Sequence, residues 1–184
     1  MKKILVSAAA LLVLAGCGYY SLAGSIPPHI RNIAIPLVEN QTAEFGMAEA
    51  VTDNLQTSFT RENILRLVDE DQSDSVLRGT ITRVEDKAQT FTGTEVVTEY
   101  RFTVTMKVVW YDVKMDKALL DKTYSGWGAY GLSGDIANDG IDNDGDGLVD
   151  GDDDDEFGEP RTYATRIAVD KIAEQVLNDI MTTW

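Results

Sequence analysis

Apolar and polar residues alternate most regularly between Thr98 and Asp112, where Tyr100, Phe102, Val104, Met106, Val108 and Trp110 interleave with Arg101, Thr103, Thr105, Lys107, Val109 and Tyr111. A period of two sends successive side chains to opposite faces of a strand. The stretch therefore predicts one long strand with a wholly apolar face, and that face must be covered. Two helical patterns offer the cover. Phe45, Ala48, Val51, Leu55 and Phe59 recur at three- and four-residue steps between Ala43 and Arg61. After Pro160, a residue suited to a first helical turn, Tyr163, Ile167, Ile172, Val176 and Ile180 form a second stripe.

The remaining periodic segments are shorter. Ile30 to Val38 is β-branched and broken by Pro36, which suits a strand ending at a sheet edge, and Glu39 to Thr42 reads as a turn. Asn63 to Val68 is too short for a helix and reads as a strand, and Asp69 to Ser73 as an acidic turn. Ser75 to Glu85 alternates with Leu77, Gly79, Ile81 and Arg83 on one side. Ala118 to Trp127 returns antiparallel to the Thr98–Asp112 strand through the tight Lys114–Lys117 connection. The element order predicts an α+β fold, a two-layer sandwich with two amphipathic helices packed on one face of a mixed four- to five-stranded sheet.

The N-terminus carries a different signal. Lys2 and Lys3 precede the apolar run Ile4–Leu14, and Leu14-Ala15-Gly16-Cys17 follows, the layout of a lipoprotein signal peptide too short to span a bilayer. On this reading residues 1–16 are removed, the thiol of Cys17 is the lipid-attachment site, and a covalent N-terminal lipid anchors the protein to a membrane. An ordinary signal peptide that leaves a free cysteine is the alternative. Gly18 to His29, rich in Gly, Ser and Pro, forms with Cys17 a tether over residues 17–29, and the folded domain spans 30–184.

Charge is concentrated in one place. Of the formal net charge of −15, the segment Asp135 to Glu159 contributes ten aspartates and two glutamates with no lysine or arginine, leaving −3 for the rest. No basic run points to nucleic acid. Within the segment, Asp142, Asp144 and Asp146 occupy positions 1, 3 and 5 of a loop, Gly147 position 6, Asp150 position 9 and Asp153 position 12. Alternate carboxylates on a loop that glycine lets bend sharply are suited to Ca²⁺, which takes oxygen ligands at about 2.3–2.6 Å. The loop is similar to the aspartate-rich calcium loops of thrombospondin type 3 and dockerin modules. The alternative is a solvated acidic tract. Catalysis has little support: His29 is the single histidine, Cys17 the single cysteine, and no P-loop, GxSxG or HExxH pattern occurs. The chain reads as a non-enzyme.

Several segments, in order, resemble the lipopolysaccharide-assembly lipoprotein (LptE-like) family: Leu14-Ala15-Gly16-Cys17-Gly18-Tyr19, Ile26-Pro27, Ile30-Arg31-Asn32-Ile33-Ala34-Ile35-Pro36, Glu39-Asn40-Gln41-Thr42, Asp74 to Ile81, Thr98 to Arg101 and Ser125-Gly126. The acidic insertion at 131–159 departs from the family pattern. The resemblance implies an outer-membrane lipoprotein facing the periplasm, the plug and partner of an outer-membrane β-barrel lipopolysaccharide translocon protein. Gly18, in place of the aspartate that retains similar lipoproteins at the inner membrane, agrees with that destination. Lipopolysaccharide is then a ligand as well, and its phosphates suit Arg78, Arg101 and Lys107, expected to group on the polar sheet face. Trp127 and Tyr130 are expected contact points for the barrel. The alternative function is a stand-alone calcium-binding periplasmic or surface lipoprotein.

Overall fold

The computed structural model describes residues 26–91, 97–131, 136–152 and 158–182; the signal peptide, Cys17, most of the tether and Asp153 lie outside the described residues. The elements are β1 (Asn32–Ala34), β2 (Glu39–Asn40), α1 (Met47–Glu62), β3 (Arg66–Leu67), β4 (Ser75–Phe91), β5 (Val97–Asp112), β6 (Lys117–Gly131) and α2 (Pro160–Thr182), with 3-10 turns at Glu70–Gln72, Ile136–Asn138 and Asp150–Asp152. The strands form one mixed six-stranded sheet in the order β3-β1-β4-β5-β6, with β2 also on β4. β1 and β2 run parallel to β4, and β4, β5 and β6 form an antiparallel meander. Among the described residues no helix is long and apolar enough to cross a membrane.

The two-layer sandwich agrees with the hydrophobic pattern. Phe102, Val104, Met106, Val108 and Trp110 of β5 are fully buried, facing Val51, Leu55 and Phe59 of α1 and Ala164, Ala168, Ile172 and Val176 of α2 in one core. Each large side chain removed from water contributes about 1.5–3 kcal/mol, so this face dominates the packing energy.

The differences from the expected elements have local causes. Glu39–Asn40, expected as a turn, pairs with Thr80–Ile81 as a sixth strand. Pro36 has no N–H for a ladder and splits the first strand in two. The helix beside it satisfies the interrupted backbone: Val38 N–H donates to Thr52 Oγ1 at 2.9 Å and Gln56 Nε2 to the Ile35 carbonyl at 2.9 Å. α1 begins at Met47 rather than Ala43, because Gly46 adopts a left-handed conformation at φ 76°. Phe45 therefore falls outside the stripe and is 99% exposed. A register shift between Ile81 and Arg83 turns Arg83 away from the face shared by Leu77, Gly79 and Ile81 and sets it opposite Thr105.

α2 lies unusually close to β6. A Cβ on Gly126 would stand 1.9 Å from the Ala168 carbonyl oxygen, and one on Gly128 would stand 2.4 Å from that of Ala164. Glycine on the strand and alanine on the helix let the two backbones meet. Gly126→Ala is expected to destabilise the domain by about 3 kcal/mol, the upper part of the range for overpacking, whereas Ser125→Ala, on the opposite face, is expected to stay within about 0.5 kcal/mol. Urea unfolding midpoints measure both, and equal midpoints would show that helix and strand are not in backbone contact.

Candidate functional site

The face of the sheet away from the helices carries most of its polar side chains. Of the cations expected to group there, Arg78 and Lys107 are diagonal neighbours across β4 and β5, and Arg101 stands apart from both. Arg78 lies opposite Val109, Lys107 opposite Thr80, and Arg101 opposite Lys87. Six residues separate Arg101 from Lys107 along β5, about 20 Å at ~3.4 Å per residue. Each also has its own partner. Arg78 pairs with Glu70, Lys107 Nζ lies 3.1 Å from Asp121, and the Arg101 guanidinium stacks 4.2 Å from the Trp127 ring centroid. The register shift in β4 brings other residues beside Arg101 instead: Arg83, Glu85 and Lys87 face Thr105, Thr103 and Arg101 in turn. Lys87 Nζ lies 2.8 Å from Glu85, and that hydrogen bond holds the Glu85 carboxyl below its ordinary value. Two arginines and a lysine thus gather at one end of the open face. Their grouping depends on a bulge that alternation alone does not reveal.

Of the two aromatic residues expected to contact a barrel, Tyr130 is buried on the helix side. Its hydroxyl donates to Asp86 at 2.8 Å and its ring stacks on Tyr100 at 5.5 Å. Burial, followed by the Asp86 carboxylate, pushes its phenol well up. Trp127 lies on the open face, held between Arg101 and Lys171, whose Nζ is 4.2 Å from the ring centroid.

The acidic insertion folds back onto the edge of β6. Ala129 N–H donates to the Asn143 carbonyl at 2.8 Å, and Asn143 Nδ2 donates to the Ala129 carbonyl at 3.0 Å. Gly131 N–H donates to Asp139 Oδ2 at 2.9 Å, and Lys171 Nζ donates to the Asp144 carbonyl. Burial lowers the Lys171 ammonium below its usual value, while Asp144 and Asp142 oppose the shift. Ile136, fully buried with Tyr163 and Ile167, fixes the start of the segment. Neither Asn143 nor Ile136 figures among the residues the sequence singles out. An isolated isoleucine at the head of an acidic run is the signal that could have found the second.

Within this docked segment Asp142, Asp144 and Asp146 bring one carboxylate oxygen each to within 4.8 Å of one another. The backbone helps to hold them. Asp142 accepts from Gly145 N–H at 2.6 Å and Gly147 N–H at 3.1 Å, and Asp144 accepts from Asp146 N–H at 2.9 Å. Gly145 and Gly147 take positive φ of 82° and 98°, which lets the loop turn tightly. Asp150 is turned elsewhere, accepting from Gly140 N–H at 3.0 Å, so position 9 stands apart from the other three. Oxygen donors alone suit a hard cation.

The LptE family model, described as lipopolysaccharide-assembly, matches residues 30–183. No curated protein matches the chain. Among solved structures, an uncharacterized lipoprotein B from Nitrosomonas europaea superposes with a TM-score of 0.53 at 9% identity, over 91% of this chain and 92% of that one. A hypothetical protein from Chlamydia trachomatis gives 0.51 at 9% identity, over 81% and 96%. These two likenesses establish a shared fold.

Asn143 is fully buried, and a carboxylate in its place would face the Ala129 carbonyl and Asp139. Asn143→Asp is expected to weaken the docking of the insertion by about 2 kcal/mol, measured as roughly 30-fold faster hydrogen exchange of the Ala129 amide. Unchanged exchange would show that the segment does not close this edge.

Proposed function

Because the chain belongs to the lipopolysaccharide-assembly LptE family, we propose that it is an outer-membrane lipoprotein, anchored through Cys17, that assists assembly of lipopolysaccharide as the plug and partner of a β-barrel translocon. The observation that carries this reading is the family match across the whole folded domain. The two faces of the sheet suit such a role. One is closed by helices, and the other offers a broad surface of threonines and paired charges to a protein wall or a glycolipid. On this reading the protein positions and shields a ligand and catalyses no reaction.

For the phosphates of lipopolysaccharide, Arg101 with its neighbours Lys87 and Arg83 is the strongest candidate. Arginine binds phosphate oxygens in pairs, and like charges held close together gain most from an anion. Arg78 and Lys107, which lie away from Arg101 on the same face and, like Arg83 and Lys87, are each paired with a carboxylate, add weaker contacts. The protein purified from native outer membranes is expected to bring a large β-barrel with it. Arg101→Glu combined with Lys87→Glu is expected to weaken lipopolysaccharide binding at least tenfold, and Arg78→Glu with Lys107→Glu to weaken it less. A monomer with no barrel partner, or binding unchanged in the first variant, would overturn the reading.

One observation favours a second role, the convergence of Asp142, Asp144 and Asp146. We propose that this loop takes Ca²⁺, with those carboxylates as its ligands and Asp150 and Asp153 as further donors once the loop closes. In a stand-alone lipoprotein this would be the functional site. Titration is expected to give dissociation constants of about 10⁻⁴–10⁻³ M, lost in Asp142→Asn with Asp144→Asn. Absence of a calorimetric response at millimolar Ca²⁺ would remove it.

A further inference from the structure

One buried carboxylate joins two distant parts of the chain. Asp112 is 1% exposed at the end of β5. Its Oδ2 lies 2.6 Å from His29 Nε2, and its Oδ1 accepts from the N–H groups of Lys114 at 3.0 Å and Met115 at 2.9 Å. Burial would raise this carboxyl, but Met115 N–H, His29 and Lys114 N–H together hold it below its ordinary value. A second link runs beside the first: Val113 N–H donates to the Asp74 carbonyl at 3.0 Å, and Asp74 Oδ2 accepts from Arg31 and Asn32 N–H at 2.9 Å. The base of the N-terminal segment and the β5–β6 turn are therefore one rigid unit.

That turn presents apolar side chains to water. Val113 is 48% and Met115 64% exposed, with Lys114 and Lys117 exposed beside them. Its acid, Asp116, accepts from the Tyr111 hydroxyl. The acidic Asp69–Asp71 turn, between β3 and β4, lies at the same end of the sheet, displaced sideways towards the β3 edge. α2 ends near the start of β6, where Lys122 and Tyr124 both bond Asp179, and Met181 is exposed there too. The acidic insertion leaves from the far end of the 15-residue β6, on the order of 45 Å along the strand.

We infer that the β5–β6 turn is the membrane-contacting tip of the domain, with Val113 and Met115 entering the interface of an anionic phospholipid bilayer and Lys114 and Lys117 lying among its phosphates. The inference rests on the proposed acylation of Cys17. Residues 17–25 can extend no more than about 30 Å before the chain enters the domain at Ile26. The unit made by His29, Asp112 and the turn is thus the part of the fold confined closest to the lipid surface. Two apolar side chains bind a bilayer weakly by themselves, but the tether supplies the effective concentration that makes a weak contact persist. Repulsion between the insertion and lipid phosphates turns the opposite end of the sheet away from the same surface.

The test uses the full acylated chain in vesicles of phosphatidylethanolamine and phosphatidylglycerol. Because Cys17 is acylated, Met115→Cys or Leu148→Cys provides the sole thiol for an environment-sensitive fluorophore. The probe at 115 is expected to shift to the blue on vesicle binding and to be quenched by iodide several-fold less than the probe at 148. Lys114→Glu with Lys117→Glu is expected to abolish the difference. Vesicle flotation reports the anchor separately. Flotation with equal quenching at both sites overturns the tip alone, and failure to float overturns anchor and tip together. Protection seen in outer-membrane fragments but not in protein-free vesicles assigns the turn to a protein and overturns the lipid contact.

Discussion

The contact of α2 with β6 at Gly126 and Gly128 sets much of the remaining architecture. Because the helix backbone sits against the strand, side chains on its flank overhang the sheet edge. Gln175 Nε2 reaches the outward Ser125 carbonyl at 3.1 Å, and Lys171 reaches the Asp144 carbonyl. An edge strand of this length exposes a row of unpaired backbone groups and invites pairing with another chain. Here the helix covers one part and the insertion another, through Asn143 on Ala129. The insertion thus closes the fold as well as carrying charge, and it depends on a helix placed low enough for Lys171 to meet it.

Much of this was legible in the sequence. The alternation through β5 marked its buried face residue by residue, and the Val51–Leu55–Phe59 stripe marked the helix face that covers it. The departures from the regular pattern share a cause. The helix start, the split at Pro36 and the reversal at Arg83 depend on single backbone irregularities, which shift side chains between faces without changing composition. The basic residues illustrate it best: regular alternation puts Arg83 and Lys87 on the buried face with Leu77, Gly79 and Ile81, but one bulge brings them to the open face beside Arg101. The docked insertion was hidden for another reason. A run of aspartates resembles a solvated tract, and the two residues that fasten it, Ile136 and Asn143, are scattered among them.

Family membership and charge distribution meet in the same picture. With Lys2 and Lys3 in the signal peptide, the sandwich carries a formal −5 against −12 on one segment at one end of the sheet, so most of the net charge is kept away from the rest of the surface. Arg161 completes the rigid body at that end. It lies 2.9 Å from Asp86 and 3.0 Å from Glu44, so the start of α2 is tied both to β4 and to the loop before α1. The start of α2 therefore has anchors outside the segment that precedes it.

The position of α2 in the chain has a consequence for biogenesis. The helix that covers β5 and β6 follows both strands in the chain, from Pro160 to Thr182. On the proposed export route the meander of β4, β5 and β6 emerges before α2, and its local hairpin contacts can form early. Phe102, Met106 and Trp110 then stay partly uncovered until that helix arrives and its alanines settle onto the two glycines. The interval before those residues emerge is when the nascent sheet is most exposed to aggregation and to holdase chaperones.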